Sequence, residues 1–212
     1  MKPLRNIYKN VFKRIFDIFL SLFGLFISSP VLLLAVVLLA VINKGAPFFI
    51  QERPGRDGKI FKILKLKTMT DKKDRNGRLL PDIERLTKVG RVIRKLSIDE
   101  LPQLINILKG EMSLIGPRPL IKEYLPLYSS YHSRRHEVLP GITGWAQVNG
   151  RQSIKLSERR DYDVWYVDNI SFRLDLIIFY KTVINVLFAK DVKSGQSIDV
   201  VDDLGYLKQM KK

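Results

Sequence analysis

Along most of this chain apolar and polar residues alternate, but one stretch has no alternation at all. From Ile18 to Asn43 no residue is charged, and Leu, Ile, Val and Phe dominate. That meets the requirement of about 20 apolar residues for a membrane-crossing helix. A cleavable leader fits poorly, because leaders carry apolar runs of only about 7–15 residues followed by a small-residue site. Ser28-Ser29-Pro30 falls in the middle of the run. Proline removes a helix hydrogen bond and bends the chain, and serine hydroxyls can take up the backbone groups it frees. Lys2, Arg5, Lys9, Lys13 and Arg14 precede the run, while Lys44, Arg53, Arg56, Lys59 and Lys62 follow it. Basic flanks favour the cytoplasmic side. Two of them predict a helix–break–helix that enters and leaves by one face, not a straight span.

Past the run the periods shorten. Ala46 to Met69 reads as short strands, with Pro54-Gly55 and Asp57-Gly58 as turn signals. The period of two in Leu64-Lys65-Leu66-Lys67-Thr68 predicts that Lys65 and Lys67 share a strand face. Residues 70–83 form a polar loop, and the pattern predicts a short basic helix from Glu84 to Lys95. A second helix, Pro102 to Leu108, stops at Lys109-Gly110. Ile121 to Val138 is expected to be helical, and Pro140 to Arg151 a glycine-punctuated strand or loop. Helical spacing returns over Ser157–Val167 and Asp175–Phe188, the latter with an apolar face wide enough for a core or a bilayer surface. The chain shows no internal repeat or low-complexity linker. The predicted fold is α+β and mainly α-helical, with an N-terminal re-entrant membrane helix, short strands and membrane-surface amphipathic helices. The expected division is an anchor over residues 1–45, one domain over 46–190 and a tail over 191–212.

Charge narrows the partners. The chain has 212 residues, 37 basic and 21 acidic, for a formal net charge of +16. Between Arg53 and Lys95 there are 15 basic and 5 acidic residues, so one face is strongly cationic and suits nucleic acid, anionic lipid or a polyphosphate. No nucleic-acid module is recognisable, and an uninterrupted apolar run is a poor companion for one, so no nucleic-acid partner is expected. With no cysteine, disulfides and thiolate zinc sites are excluded.

The chemistry concentrates in RVIRKLSIDELPQLINILKGEMSLIGPRP, residues 91–119. It sets an Asp99-Glu100 pair between the cations Arg91, Arg94 and Lys95 and an Arg118 held by Pro117 and Pro119. Carboxylates can hold Mg²⁺ or attack phosphorus, and fixed cations neutralise phosphoryl oxygens. The rival reading is a capping box from Ser97 to Glu100; Pro102 opposes it, because it would fall beyond the first turn. If Pro102 instead begins the helix, the two acids lie just ahead of it. Two prolines restrict the Arg118 backbone, favouring either an aimed phosphate contact or a simple turn. Lys65 and Lys67 suit a diphosphate, lipid headgroups or solvent. Gly141, Gly144 and Gly150 allow either a nucleotide or an ordinary hairpin to approach, with Gln147, Asn149 and Arg151 as hydrogen-bonding groups beside them. Trp145 suits uracil stacking or core packing. His132 and His136 are spaced as metal ligands but lack a third partner.

Taken together, these blocks resemble the bacterial sugar transferase family, the monotopic phosphoglycosyl transferases. The matching stretches are KRIFDI at 13–18, the Ser29-Pro30 break, QERPGRDGKIFKILKLKTM at 51–69, RKLSIDELPQLINILKGEMSLIGPRPL at 94–120, PGITGWAQVNGR at 140–151 and DYDVWYVDNISFRLDL at 161–176. The resemblance implies transfer of a sugar 1-phosphate from a UDP-sugar to undecaprenyl phosphate, with release of UMP, at the start of surface glycan assembly. It implies Asp99 as a nucleophile forming a phosphosugar-aspartyl intermediate, Glu100 as its dyad partner, and Mg²⁺ held by Asp99 and Glu100. Lys65, Lys67, Arg94, Arg118, Gln147, Asn149 and Arg151 are the expected phosphate- and nucleotide-binding residues. It also implies an anchor in the bacterial inner membrane, re-entrant at Ser29 and Pro30, with the catalytic domain on the cytoplasmic face among membrane lipids. A homo-oligomer is compatible with the sequence. The chain looks like the minimal form of the family. It departs after Arg151, where Gln152-Ser153-Ile154-Lys155-Leu156 replaces an Asn-Ala-x-Ser-Trp-like stretch, which leaves the sugar open. A non-catalytic module docking on anionic lipid would share the charge and anchor but gives no reason for the Asp99-Glu100 and Arg118 arrangement.

Overall fold

A computed structural model describes residues 7–150, 154–188 and 202–205. A wide turn, Tyr8–Phe12, leads into one long helix, α1 (Lys13–Ile42). Pro30 lies inside α1 and does not divide it, so the expected pair of helices is a single continuous one. The lost backbone bond explains how: Pro30 has no N–H for the Phe26 carbonyl, and the Ser29 hydroxyl donates to that oxygen at 2.8 Å. The Ser28 hydroxyl donates to the Gly24 carbonyl at 2.7 Å.

α1 has its polarity inverted. Lys13, Asp17, Ser21, Ala35 and Leu39 are buried against the rest of the protein, whereas Phe19, Phe26, Leu33 and Val41 are exposed. In the first turns polar residues therefore face protein and large apolar ones face outward, as lipid would require, while farther along Ala35 and Leu39 make an apolar seam. By length and composition the helix over Tyr8–Ile42 is able to cross a membrane.

Strands β1 (Phe48–Pro54) and β2 (Ile60–Leu66) form an antiparallel hairpin, registered from Phe48 opposite Leu66 to Pro54 opposite Ile60. Its turn sets Asp57 and Gly58 at φ of 56° and 72°, the left-handed conformation that the Asp-Gly pair favours. The predicted basic helix is split into α2 (Asp82–Arg85) and α3 (Lys88–Lys95). Thr87 causes the split, its Oγ1 accepting from the Gly90 amide at 2.8 Å as the N-cap of α3. α4 (Gln103–Lys109) follows Pro102 and ends at Gly110, φ 85°.

β3 (Ser113–Ile115) pairs in parallel with β4 (Gly141–Thr143). The intervening segment is not the predicted continuous helix; a 3₁₀ stretch over Lys122–Leu127, the short α5 (Ser130–Ser133) and a turn over Arg134–Glu137 replace it. Pro126 and the capping hydroxyl of Ser129, which accepts from the His132 amide, interrupt it. α6 (Trp145–Gly150), α7 (Leu156–Asn169) and α8 (Phe172–Leu187) complete the chain.

Apolar clusters fix the arrangement. Ile115, Val138, Tyr166, Val167, Ile170, Leu174 and Ile178 join β3, α7 and α8. Phe61, Ile63, Leu104, Ile107 and Met112 join the hairpin to α4, with Leu25 of α1 against them. Ala35 and Leu39 pack on Leu66 and Ile93, so the far end of α1 meets β2 and α3. The near end is held by polar bonds. Asp175 receives Lys13 Nζ at 2.6 Å, the Tyr8 hydroxyl at 2.6 Å and the Tyr166 hydroxyl at 2.8 Å. Arg14 donates to the carbonyls of Ile107 and Leu108 at 2.6 and 3.0 Å, capping the C-terminus of α4. α1 is thus packed on the domain at both of its ends.

Candidate active site

Two short elements bring the acids to their place. Ser97 adopts a left-handed φ of 56°, uncommon for a residue with a side chain. It turns the chain out of α3 into a 3₁₀ turn, Ile98–Glu100, that precedes Pro102 and α4. Ser97 makes no side-chain cap, so the capping-box alternative does not form. The acids sit ahead of the helix, as Pro102 required.

Glu100 is fully engaged. Lys65 Nζ donates to its Oε1 at 3.1 Å, Arg118 Nη2 donates to the same oxygen, and Arg118 Nη1 reaches Oε2 at 3.3 Å. Burial opposes its charge, but Arg118 and Lys65 overcome that and hold the carboxyl well below its ordinary range. Asp99 is the opposite case, accepting no hydrogen bond among the described residues. Burial, and then the neighbouring Glu100 charge, push its carboxyl up to about 6, against the pull of Lys65, Arg94 and Arg118. One acid of the pair is locked to cations and the other is open.

The remaining expected residues divide. Lys65, Arg118 and Glu100 converge on Asp99. Arg94 lies within electrostatic reach of it while its Nε donates to Thr68 Oγ1 at 2.8 Å. Lys67 lies just past the end of β2 and turns to Asp71 at 2.5 Å, so the two lysines do not act on one group. Gln147 keeps both amide ends enclosed with no partner among the described residues. Asn149 is occupied elsewhere, donating to the Trp145 carbonyl at 2.9 Å and accepting from Lys181 at 3.1 Å. Arg151 lies outside the described residues. Trp145 is part-buried against the core cluster, stacked on Trp165 at 4.8 Å with Lys181 over its ring. His132 pairs with Asp161 at 2.8 Å. Burial and then Arg135 push His136 down to about 4, leaving it neutral. Neither histidine joins a cluster of three or more His, Asp or Glu among the described residues.

The glycines near 141 serve the protein's own backbone. A Cβ on Gly141 would stand 2.1 Å from the Gly116 amide, and one on Gly144 would stand 2.1 Å from the Gly116 carbonyl. This close approach lets Gly116 N donate to the Thr143 carbonyl at 2.8 Å and Gly141 N to the Pro117 carbonyl at 3.0 Å. The Pro117-Arg118-Pro119 loop is fastened beside β4 as a result.

Sequence reading overlooked several residues that build this site. Asn106 accepts from the Leu64 amide at 3.1 Å and donates to the Lys62 carbonyl at 2.8 Å, fixing α4 to the strand that carries Lys65. Arg135 and Asp163 form a buried pair behind Arg118. One signal was available for Asp163, which falls on the same buried stripe of α7 as Leu156, Val164 and Val167; an acid there implies a buried partner.

The profile of the family described as "Bacterial sugar transferase" matches residues 8–189. The chain is 52% identical over 188 residues to the uncharacterized sugar transferase EpsL of Bacillus subtilis (strain 168), covering 89% of this chain and 93% of that protein. It is 39% identical to the exopolysaccharide production protein ExoY of Rhizobium meliloti (strain 1021), over 81% of this chain and 83% of that one. Against the UDP-glucose:undecaprenyl-phosphate glucose-1-phosphate transferase of Klebsiella pneumoniae it is 40% identical over 85% of this chain, which matches only 41% of that longer protein. With matches of this extent, the chain belongs to the bacterial sugar transferase family.

Proposed function

We propose that the protein transfers a sugar 1-phosphate from a UDP-sugar to undecaprenyl phosphate, releasing UMP, and that Asp99 carries the transferred group covalently. The difference between the two acids is the observation that supports this. Glu100 is held by Arg118 and Lys65, whereas the Asp99 carboxylate accepts no hydrogen bond among the described residues. An open carboxylate beside fixed cations is the arrangement a nucleophile toward phosphorus needs.

Asp99 Oδ adds to the phosphorus that bears the sugar. The bond from that phosphorus to the bridging oxygen breaks, and UMP leaves with the electron pair. An oxygen of undecaprenyl phosphate then adds to the same phosphorus, the aspartyl oxygen departs, and the Asp99 carboxylate is restored. Arg118 and Lys65, with Arg94 nearby, offset the negative charge of the diphosphate through both steps.

The residues present fit a divalent cation. Mg²⁺ is commonly held by one or two carboxylates, with substrate phosphates and water completing its shell. Asp99 supplies one such carboxylate, with no competing donor among the described residues, while Glu100, already held by Arg118 and Lys65, would join it only by giving up one of those contacts. When bound, the ion adds electrostatic stabilisation to the diphosphate.

The same function accounts for α1. With basic residues at both flanks and the domain packed on both helix ends, our reading is that α1, continuous through Pro30, dips into the cytoplasmic face of the inner membrane and returns to it by bending at that proline. Ile98, next to Asp99, packs against the cluster that contains Ala35 and Leu39 of α1, which keeps the carboxylate near lipid. UMP release from a panel of UDP-sugars tests the proposal, with detergent-solubilised protein, Mg²⁺ and undecaprenyl phosphate. Release with one donor, lost in Asp99→Asn, identifies reaction and sugar together; turnover that survives Asp99→Asn refutes the nucleophile.

A further inference from the structure

Arg118 rests on a support that its own contact with Glu100 does not explain. The Arg118 carbonyl accepts from Arg135 Nη2 at 2.7 Å. The same guanidinium donates to Asp163 Oδ2 through Nε at 3.0 Å and Nη2 at 2.7 Å, and to the Tyr128 hydroxyl through Nη1 at 3.0 Å. Arg135 and Asp163 are each 2% exposed. On the other side of the peptide, the Pro117 carbonyl is held by the Gly141 amide. Two consecutive carbonyls are therefore pinned, and two prolines limit the torsions around them.

A buried ion pair is a costly way to fill space, since apolar residues of similar volume often serve stability as well or better. What an apolar pair lacks is a donor for the Arg118 carbonyl. We propose that Arg135 and Asp163 are positioning residues for the transfer reaction: their buried pair holds the Arg118 backbone and so aims its guanidinium at Glu100 and the donor diphosphate. The inference rests on the function proposed above. It assigns Arg135 no contact with substrate; its action passes through Arg118.

The test is a double-mutant cycle on the full chain in detergent, with kcat and KM measured for the active UDP-sugar. Replacing both partners, Arg135→Met with Asp163→Leu, removes both charges of the pair together. In the wild-type background kcat falls about tenfold or more, the scale expected when a catalytic group is misaimed. In an Arg118→Lys background, where the bidentate contact is already lost, the same replacement costs less than about twofold if both act as one unit. An equal loss in both backgrounds overturns the proposal, because a general folding role acts on either. So does undiminished turnover in the wild-type background.

A second readout does not need turnover. The Arg118 Nε–H resonance, assigned by its absence in Arg118→Lys, broadens or exchanges faster in the double variant if the support is real. An unchanged resonance refutes the support even where no UDP-sugar is consumed, so failure here and failure of the proposed reaction are told apart. Should the double variant not fold, Asp163→Asn, which keeps the shape of the side chain, takes the same two measurements.

Discussion

Two arginine–carboxylate pairs stand on either side of one loop, and they differ in nearly everything but chemistry. Arg118 and Glu100 are half-buried, share Lys65, and border an open carboxylate. Arg135 and Asp163 are sealed from solvent, with every bond directed at protein. In the first pair the charges remain reachable by a ligand; in the second they are spent on geometry. Ion pairing by itself therefore says little about function. Exposure, and what the pair touches next, decide whether the charge does chemistry or holds a frame.

The largest effect is expected at the open acid. Asp99→Asn removes a nucleophile and should lower UMP release by about a thousandfold or more, with the melting temperature of the solubilised protein little changed. Next comes the sealed pair. Asp163→Ala leaves Arg135 charged and buried, a loss of about 3–5 kcal/mol of stability, read by chemical denaturation. The same truncation at Arg118 should do the reverse, lowering kcat by about a hundredfold while moving the denaturation midpoint far less.

A smaller effect concerns pH. Asp99 must be ionised to attack, and its carboxyl is pushed up to about 6. As pH falls through that value the protonated form accumulates, so kcat/KM should drop about tenfold per pH unit below it. A flat profile down to pH 4 contradicts the role. The smallest effect belongs to Glu52 and Lys122, an exposed pair at 2.5 Å. Glu52→Gln should leave melting temperature and turnover unchanged, the outcome for a solvated pair that supports no catalytic group.

Much of the frame was legible beforehand because it depends on neighbours in sequence. The apolar run, the Asp-Gly turn of the hairpin, the Gly110 stop of α4 and the place of Asp99-Glu100 ahead of Pro102 all follow from local rules. The failures were also local conflicts decided elsewhere. Residues 121–138 carry helical spacing, yet Pro126 and the Ser129 cap divide them. Lys65 and Lys67 share a two-residue period, but β2 ends between them at Leu66, and their partners differ.

By itself the sequence determined a long apolar helix with basic flanks, an acid pair between cations, and no cysteine chemistry. Those properties are carried by composition and by residues within a few positions of one another. Tertiary structure alone decided which face of α1 meets protein, which acid is locked and which is open, and that Arg135, 17 residues past Arg118, holds its backbone. These depend on contacts between residues far apart in the chain, such as Lys13 with Asp175 at a separation of 162. Burial and electrostatic coupling are properties of such neighbourhoods in space, and no period along the chain encodes them.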